Sequence, residues 1–150
     1  MKLLSRVFFI LLLALSTLAS AAEGLIALKS PHSAVDTMDK FEALAKQRGL
    51  HVFARIDHAA GAAKIGKTLR PTQVIVFGNP QGGTPFMECA QTVGIDLPLK
   101  VLVWEDSSGQ VWLGYNDPEY LATRHEAGQC AVVGNLRKAL DGLAGATVAP

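Results

Sequence analysis

The stretch KVLVWEDSSGQVWLGYN, Lys100 to Asn116, decides the fold class. Two runs rich in Val, Leu and Trp flank the short turn SSG, which is the signature of a β-hairpin. Upstream, TQVIVF (Thr72 to Phe77) is an unbroken apolar run with β-branched residues, the pattern of a central strand covered on both faces. Further upstream, HVFARID alternates, with Val52, Ala54 and Ile56 on one face and His51, Phe53, Arg55 and Asp57 on the other. GLIALKS, from Gly24, supplies a first strand.

Helical signals lie between these strands. Ser33 caps a helix with Asp36 three residues on. Val35, Met38, Phe41 and Ala45 form its apolar stripe, and Gly49 stops it. AAGAAKIGK reads as a short helix weakened by Gly61 and Gly66. Another helix is expected over Pro85 to Thr92. Past the hairpin, Asp117 caps a helix that Pro118 opens, and Val132, Val133, Leu136, Leu140 and Leu143 mark the last one. The order is β-α-β-(α)-β-α-β-β-α-α. Helices join several strands and one hairpin is clear, so the expectation is α/β (α+β): a single compact domain with one mixed β-sheet of about five strands carrying helices.

The ends and the composition set limits on location and partners. Residues 1–22 read as a secretory signal, with Lys2 and Arg6 ahead of an apolar run and small residues at the end, cleaved after Ala21 or Ala22. The run is shorter than the roughly 20 residues that span a bilayer, so the chain is expected to be exported, periplasmic or extracellular, with no membrane span after cleavage. Residues 23–150 then form one domain. Of the 14 Lys and Arg, Lys2 and Arg6 leave with the signal, so 12 remain against 13 Asp and Glu, with no basic cluster. That balance argues against nucleic acid as a partner. Cys89 and Cys130 are the only cysteines, and in an oxidising compartment they form either a disulfide or two separate buried thiols.

Between TQVIVF and the next helix lies GNPQGGTP. Gly78, Gly83 and Thr84 approach a phosphate-loop spacing, but no Lys is present and Pro85 follows the Thr. Gly78, Gly82 and Gly83 do not fit the dinucleotide spacing either. Thr84 is instead expected to cap a helix that Pro85 opens, with an anion resting on the free N–H groups there as the functional alternative and Arg70 as a cation on the same strand. Asp57 and His58 adjoin at a strand end. His58 is the candidate catalytic acid or base, with Asp117 or His125 as a partner, against the reading of a structural histidine. His51, His58 and His125 show no metal-ligand spacing, so no metal is expected, and no motif identifies a cofactor. Trp104, Trp112, Tyr115, Tyr120 and Arg124 could line a stacking pocket, or the aromatics could be core.

The blocks IDHAAGA, LRPTQVIVFGNPQGGTPFM and GIDLPLKVLVWEDSSGQVWLGYNDPEYLATRH, with FGNP and DLPLKVLVWED as the most specific pair, resemble the DUF302 family of small bacterial and archaeal domains. The resemblance covers most of residues 23–150. It implies a compact α/β domain that self-associates, and no activity. Cys89 and Cys130 lie outside the family's pattern, which favours a local disulfide over a shared catalytic role. The expected function is an exported domain binding a small molecule or anion through Asp57, His58, Gly82, Gly83 and Thr84. The alternatives are an enzyme using His58 and an oligomerising, homodimeric interaction domain without a ligand.

Overall fold

The computed structural model describes residues 22–150, and the expected signal lies outside them apart from Ala22. The hairpin is present: β4 (Leu99–Glu105) and β5 (Val111–Asn116) pair antiparallel around Asp106. The Asp106 carboxylate accepts from the backbone N–H of Ser108 (2.8 Å) and Gln110 (3.1 Å), from the Ser108 hydroxyl (2.6 Å) and from Trp112 Nε1 (2.8 Å). Gly109, at φ +81°, takes the left-handed position.

These donors hold the Asp106 carboxyl well below the ordinary carboxylate range, the Ser108 hydroxyl most of all and the Trp112 indole next. A carboxyl with a depressed folded pKa adds stability above its ordinary value of 3.8 and loses it as pH falls below that value. Acid titration followed by tryptophan fluorescence is expected to show a step below pH ~4 that Asp106→Asn removes. An unchanged step in the variant would refute this role.

β3 (Thr72–Gly78) and β2 (His51–Asp57) extend the sheet beyond β4, and β1 (Leu25–Ser30) closes the far edge, giving the order β1-β5-β4-β3-β2. The α+β class and the five strands are as expected, but all four pairings are antiparallel rather than mixed. The reason is topological. β1 and β2 do run the same way, but α1 (Ala34–Gln47) carries the chain between opposite edges of the sheet, so these strands never meet. The later connections each return the chain beside the strand it has just left.

α1 begins as expected. Ser33 Oγ accepts from Asp36 N at 3.1 Å and donates to the Asp36 carboxylate at 2.7 Å, and Gly49 follows the helix at φ +75°. With α5 (Val132–Val148), α1 covers one face of the sheet. Phe41 and Phe77 meet edge to face at 5.0 Å within a core that includes Met38, Ile75, Val101, Val103 and Leu113. A second cluster gathers Phe86, Val93, Leu121, Ala122 and Val133 from α3 (Pro80–Cys89), the 3₁₀ turn Gln91–Ile95, α4 (Pro118–Arg124) and α5, with Cys130 from the loop before α5.

Two strand readings change. A β-bulge between Val52 and Ala54 breaks the alternation of β2: Val52 pairs with Phe77 on the helix-covered face, whereas Ala54 and Ile56 pair with Val76 and Val74 on the other. β3 is central and apolar on both faces, as expected. α1 and α5, however, cover only the face of Ile75 and Phe77. On the opposite face, the row Ala27, Gly114, Leu102, Val74 and Ile56 crosses all five strands without one polar side chain.

Candidate functional site

The glycine stretch is helical further upstream than its sequence suggests. Both Asn79-Pro80 and Thr84-Pro85 have the form of a cap followed by a first-turn proline, and the chain uses the first pair. Asn79 Oδ1 accepts from Gly82 N at 2.9 Å, and Gly83 N bonds Asn79 O at 3.1 Å. Thr84 and Pro85 therefore lie inside α3, and the expected cap at Thr84 is corrected. The anion seat goes with it, because the glycine N–H groups are already bonded within the chain. Arg70 lies at the far end of β3, where its Nε donates to the Glu105 carbonyl at 3.0 Å.

What the glycines do is sterically visible. A Cβ at Gly82 would stand 3.1 Å from Leu136 Cδ2, so the bare backbone lets α3 approach α5 closely. A Cβ at Gly83 would meet Leu97 Cδ1 at 3.7 Å, an ordinary contact, and Gly83 faces open space.

That space is a cavity of about 470 Å³. α3 supplies Gly82, Gly83, Thr84 and Met87, and α5 supplies Leu136, Ala139, Leu140 and Leu143. The sheet end adds Leu50, Phe53, Phe77 and Leu99, and the loop before β4 adds Gly94, Leu97 and Pro98. Among the described residues, only Arg48, Asn79 and Thr84 bring polar side chains to the wall, and Asn79 is engaged as the helix cap. The volume and the apolar lining are those of a small-molecule site, within the range of about 300–1,000 Å³. Cys89 and Cys130 stand at disulfide distance, with Cα atoms 5.9 Å apart, and join the end of α3 to the approach of α5. Both helices wall the cavity, so the bridge fixes their spacing.

Asp57 and His58 do not join this site. Asp57 pairs with Gln73 at one end of β3 while Gly78 lies at the other, a separation of five residues or about 17 Å of strand. Asp57 Oδ1 accepts from Ala60 N at 2.8 Å and caps α2 (His58–Ala63), whose first residue is the exposed His58. The partners expected for His58 are engaged elsewhere. His125 bonds Asp96 (2.6 Å) and Thr92 (3.0 Å), while Asp117 caps α4 and pairs with Arg137 at 2.9 Å.

The aromatic set also divides. Trp104 and Trp112 stack at 6.2 Å on the sheet face away from α1, whereas Tyr115, of opposite parity, is buried beneath α5 and bonds Asp141. Burial first, and the Asp141 carboxylate next, push the Tyr115 phenol up from its ordinary pKa. Tyr120 packs over Gly24 instead.

Sequence reasoning reached Gly82, Gly83 and Thr84 but missed Arg48, Leu50, Phe53, Leu97 and Leu136. The spacing of Val132, Val133, Leu136, Leu140 and Leu143 marked an apolar helix stripe. Nothing in that spacing told a cavity wall from packed core.

Among known proteins, the model of the domain of unknown function DUF302 matches residues 26–143. The crystal structure of an uncharacterized conserved DUF302 protein from Bacillus stearothermophilus superposes with a TM-score of 0.76 at 19% identity, covering 84% of this chain and 99% of that one. Two curated relatives carry the name fluoride-specific ion channel FluC 1, from Brucella suis biovar 1 and Brucella abortus biovar 1, each 50% identical over 105 residues. The match takes in 70% of this chain but only 41% and 39% of theirs, so it spans about two fifths of their length.

Proposed function

We propose a ligand-binding role for this chain, which belongs to the DUF302 family: an exported accessory domain that holds a small apolar molecule between α3 and α5. The observation that carries this reading is the apolar cavity beside Gly83. It is a cleft open on one side, lined almost wholly by apolar side chains, and its volume lies within the range of about 300–1,000 Å³ of small-molecule sites. Export is read from residues 1–22 and is tested by N-terminal sequencing of the secreted chain. The accessory role draws on the Brucella relatives, in which a segment like this one forms part of a longer chain named as an anion channel. None of the described helices is long and apolar enough to cross a membrane, so the reading carried over is that of an appended domain and not of a pore.

A thermal-shift screen of apolar small molecules, with fluoride as the anion arm, tests the proposal. A ligand at 100 times its Kd adds about 2.7 kcal/mol. Gly83→Leu is the diagnostic variant. It replaces a helical glycine, a gain of about 1 kcal/mol in propensity, while filling the cavity. The expected outcome is an unchanged or raised Tm with every ligand-induced shift abolished. A hit that still stabilises Gly83→Leu would place the ligand elsewhere.

Self-association has its own supporting observation, the apolar row Ala27, Gly114, Leu102, Val74 and Ile56 on the face opposite α1. An antiparallel sheet with one solvated face ordinarily alternates apolar with polar residues. Sedimentation of the wild type and of Val74→Lys is expected to show a dimer only in the wild type. A wild type that stays monomeric across the concentration range counts against it.

A further inference from the structure

Resting on the ligand-binding reading above, we propose that the cavity takes an amphipathic monoanion, an unbranched apolar chain with its charged head against Arg48. A volume of about 470 Å³ lies within the range of about 300–1,000 Å³ of small-molecule sites, room for an alkyl chain of medium length. Among the described residues, Arg48 is the only charged one on the wall. It caps the C-terminus of α1 and is exposed at the cavity rim. Its guanidinium donates to the Gly142 carbonyl at 3.2 Å, which anchors it to α5, and among the described residues it forms no ion pair.

Other arginines are committed: Arg55 lies against Asp39 and Glu42, Arg124 against Asp96, and Arg137 against Asp117 and Glu119. An arginine tethered at one donor and unpaired at the others suits a carboxylate, which the guanidinium fork can hold through two charge-assisted bonds. The rest of the wall offers no second charge, so a dianion or a zwitterion would leave a charge unpaired beside apolar side chains. A neutral apolar molecule would fill the space but make no use of Arg48.

Isothermal titration of the exported chain with dodecanoate and with 1-dodecanol tests this, using the wild type, Arg48→Gln and Gly83→Leu. Dodecanoate is expected to bind the wild type, with affinity rising about fourfold per methylene from octanoate until the chain fills the cavity. Arg48→Gln should weaken dodecanoate about tenfold and leave dodecanol unchanged, while Gly83→Leu should abolish both. If Arg48→Gln alters the two ligands equally, or alters neither, the anionic head assignment is overturned while the cavity reading stands. If Gly83→Leu binds dodecanoate like the wild type, the cavity reading falls as well. A wild type that binds neither chain overturns the amphipathic class.

Discussion

Replacing Cys89 by serine and Cys130 by alanine together is expected to lower the melting temperature by about 15 °C. The bridge closes a loop with a sequence separation of 41 residues, and the chain-entropy model assigns such a loop about 4 kcal/mol of stability through restriction of the unfolded chain. For a domain of roughly 130 residues, each kcal/mol moves Tm by about 4 °C. Alanine is specified at position 130 because that side chain is buried beside Phe86, Leu121 and Val133, where a serine hydroxyl would add a desolvation cost of its own. Thermal unfolding of the wild type in excess dithiol should reproduce the melting of the double variant. Equal Tm values for the untreated wild type and the variant would show that the bridge contributes nothing. Loss of the bridge should also loosen the α3 wall, so ligand-induced stabilisation is expected to shrink along with Tm.

Phe41→Ala is expected to cost about 4 kcal/mol, as large as the disulfide and by a different route. Its ring is fully buried and meets Phe77 edge to face, linking α1 to the centre of the sheet. Truncation removes the transfer energy of the ring and leaves a void that β-strands on one side and a capped helix on the other cannot close. Urea unfolding should show a lower midpoint with an unchanged slope. A loss below 1 kcal/mol would mean that α1 resettles over the gap. Phe77 also lines the cavity, so Phe77→Ala would change stability and ligand space together, whereas Phe41→Ala separates them.

Local signals were legible wherever one residue and its near neighbours decide the structure. The capping pair of Ser33 and Asp36, the stop at Gly49, the hairpin around Asp106 and the Asp117-Pro118 start all follow from hydrogen bonds within a few residues. Readings failed where two local solutions had similar energies. Asn79-Pro80 and Thr84-Pro85 are both sound helix starts. The earlier one prevails in a fold that packs Gly82 against Leu136, and that contact joins residues more than fifty positions apart. The β2 bulge is of the same kind: alternation in the sequence is intact, and only pairing with β3 shows that Val52 and Ala54 face opposite sides.

By itself, then, the sequence determined the α+β class, the number of strands, the hairpin and the resemblance that the family match supports, because these rest on periodicity, turn chemistry and contiguous motifs. The antiparallel order, the union of Cys89 with Cys130 and the cavity were decided only by the tertiary structure. A cavity is a property of what fails to fill a space, and that depends on side chains from α3, α5, the sheet end and the loop before β4 meeting around Gly83. No stretch of the chain carries that geometry alone, and for the same reason Asp57 and His58, close to it in sequence, stand at the opposite end of the sheet.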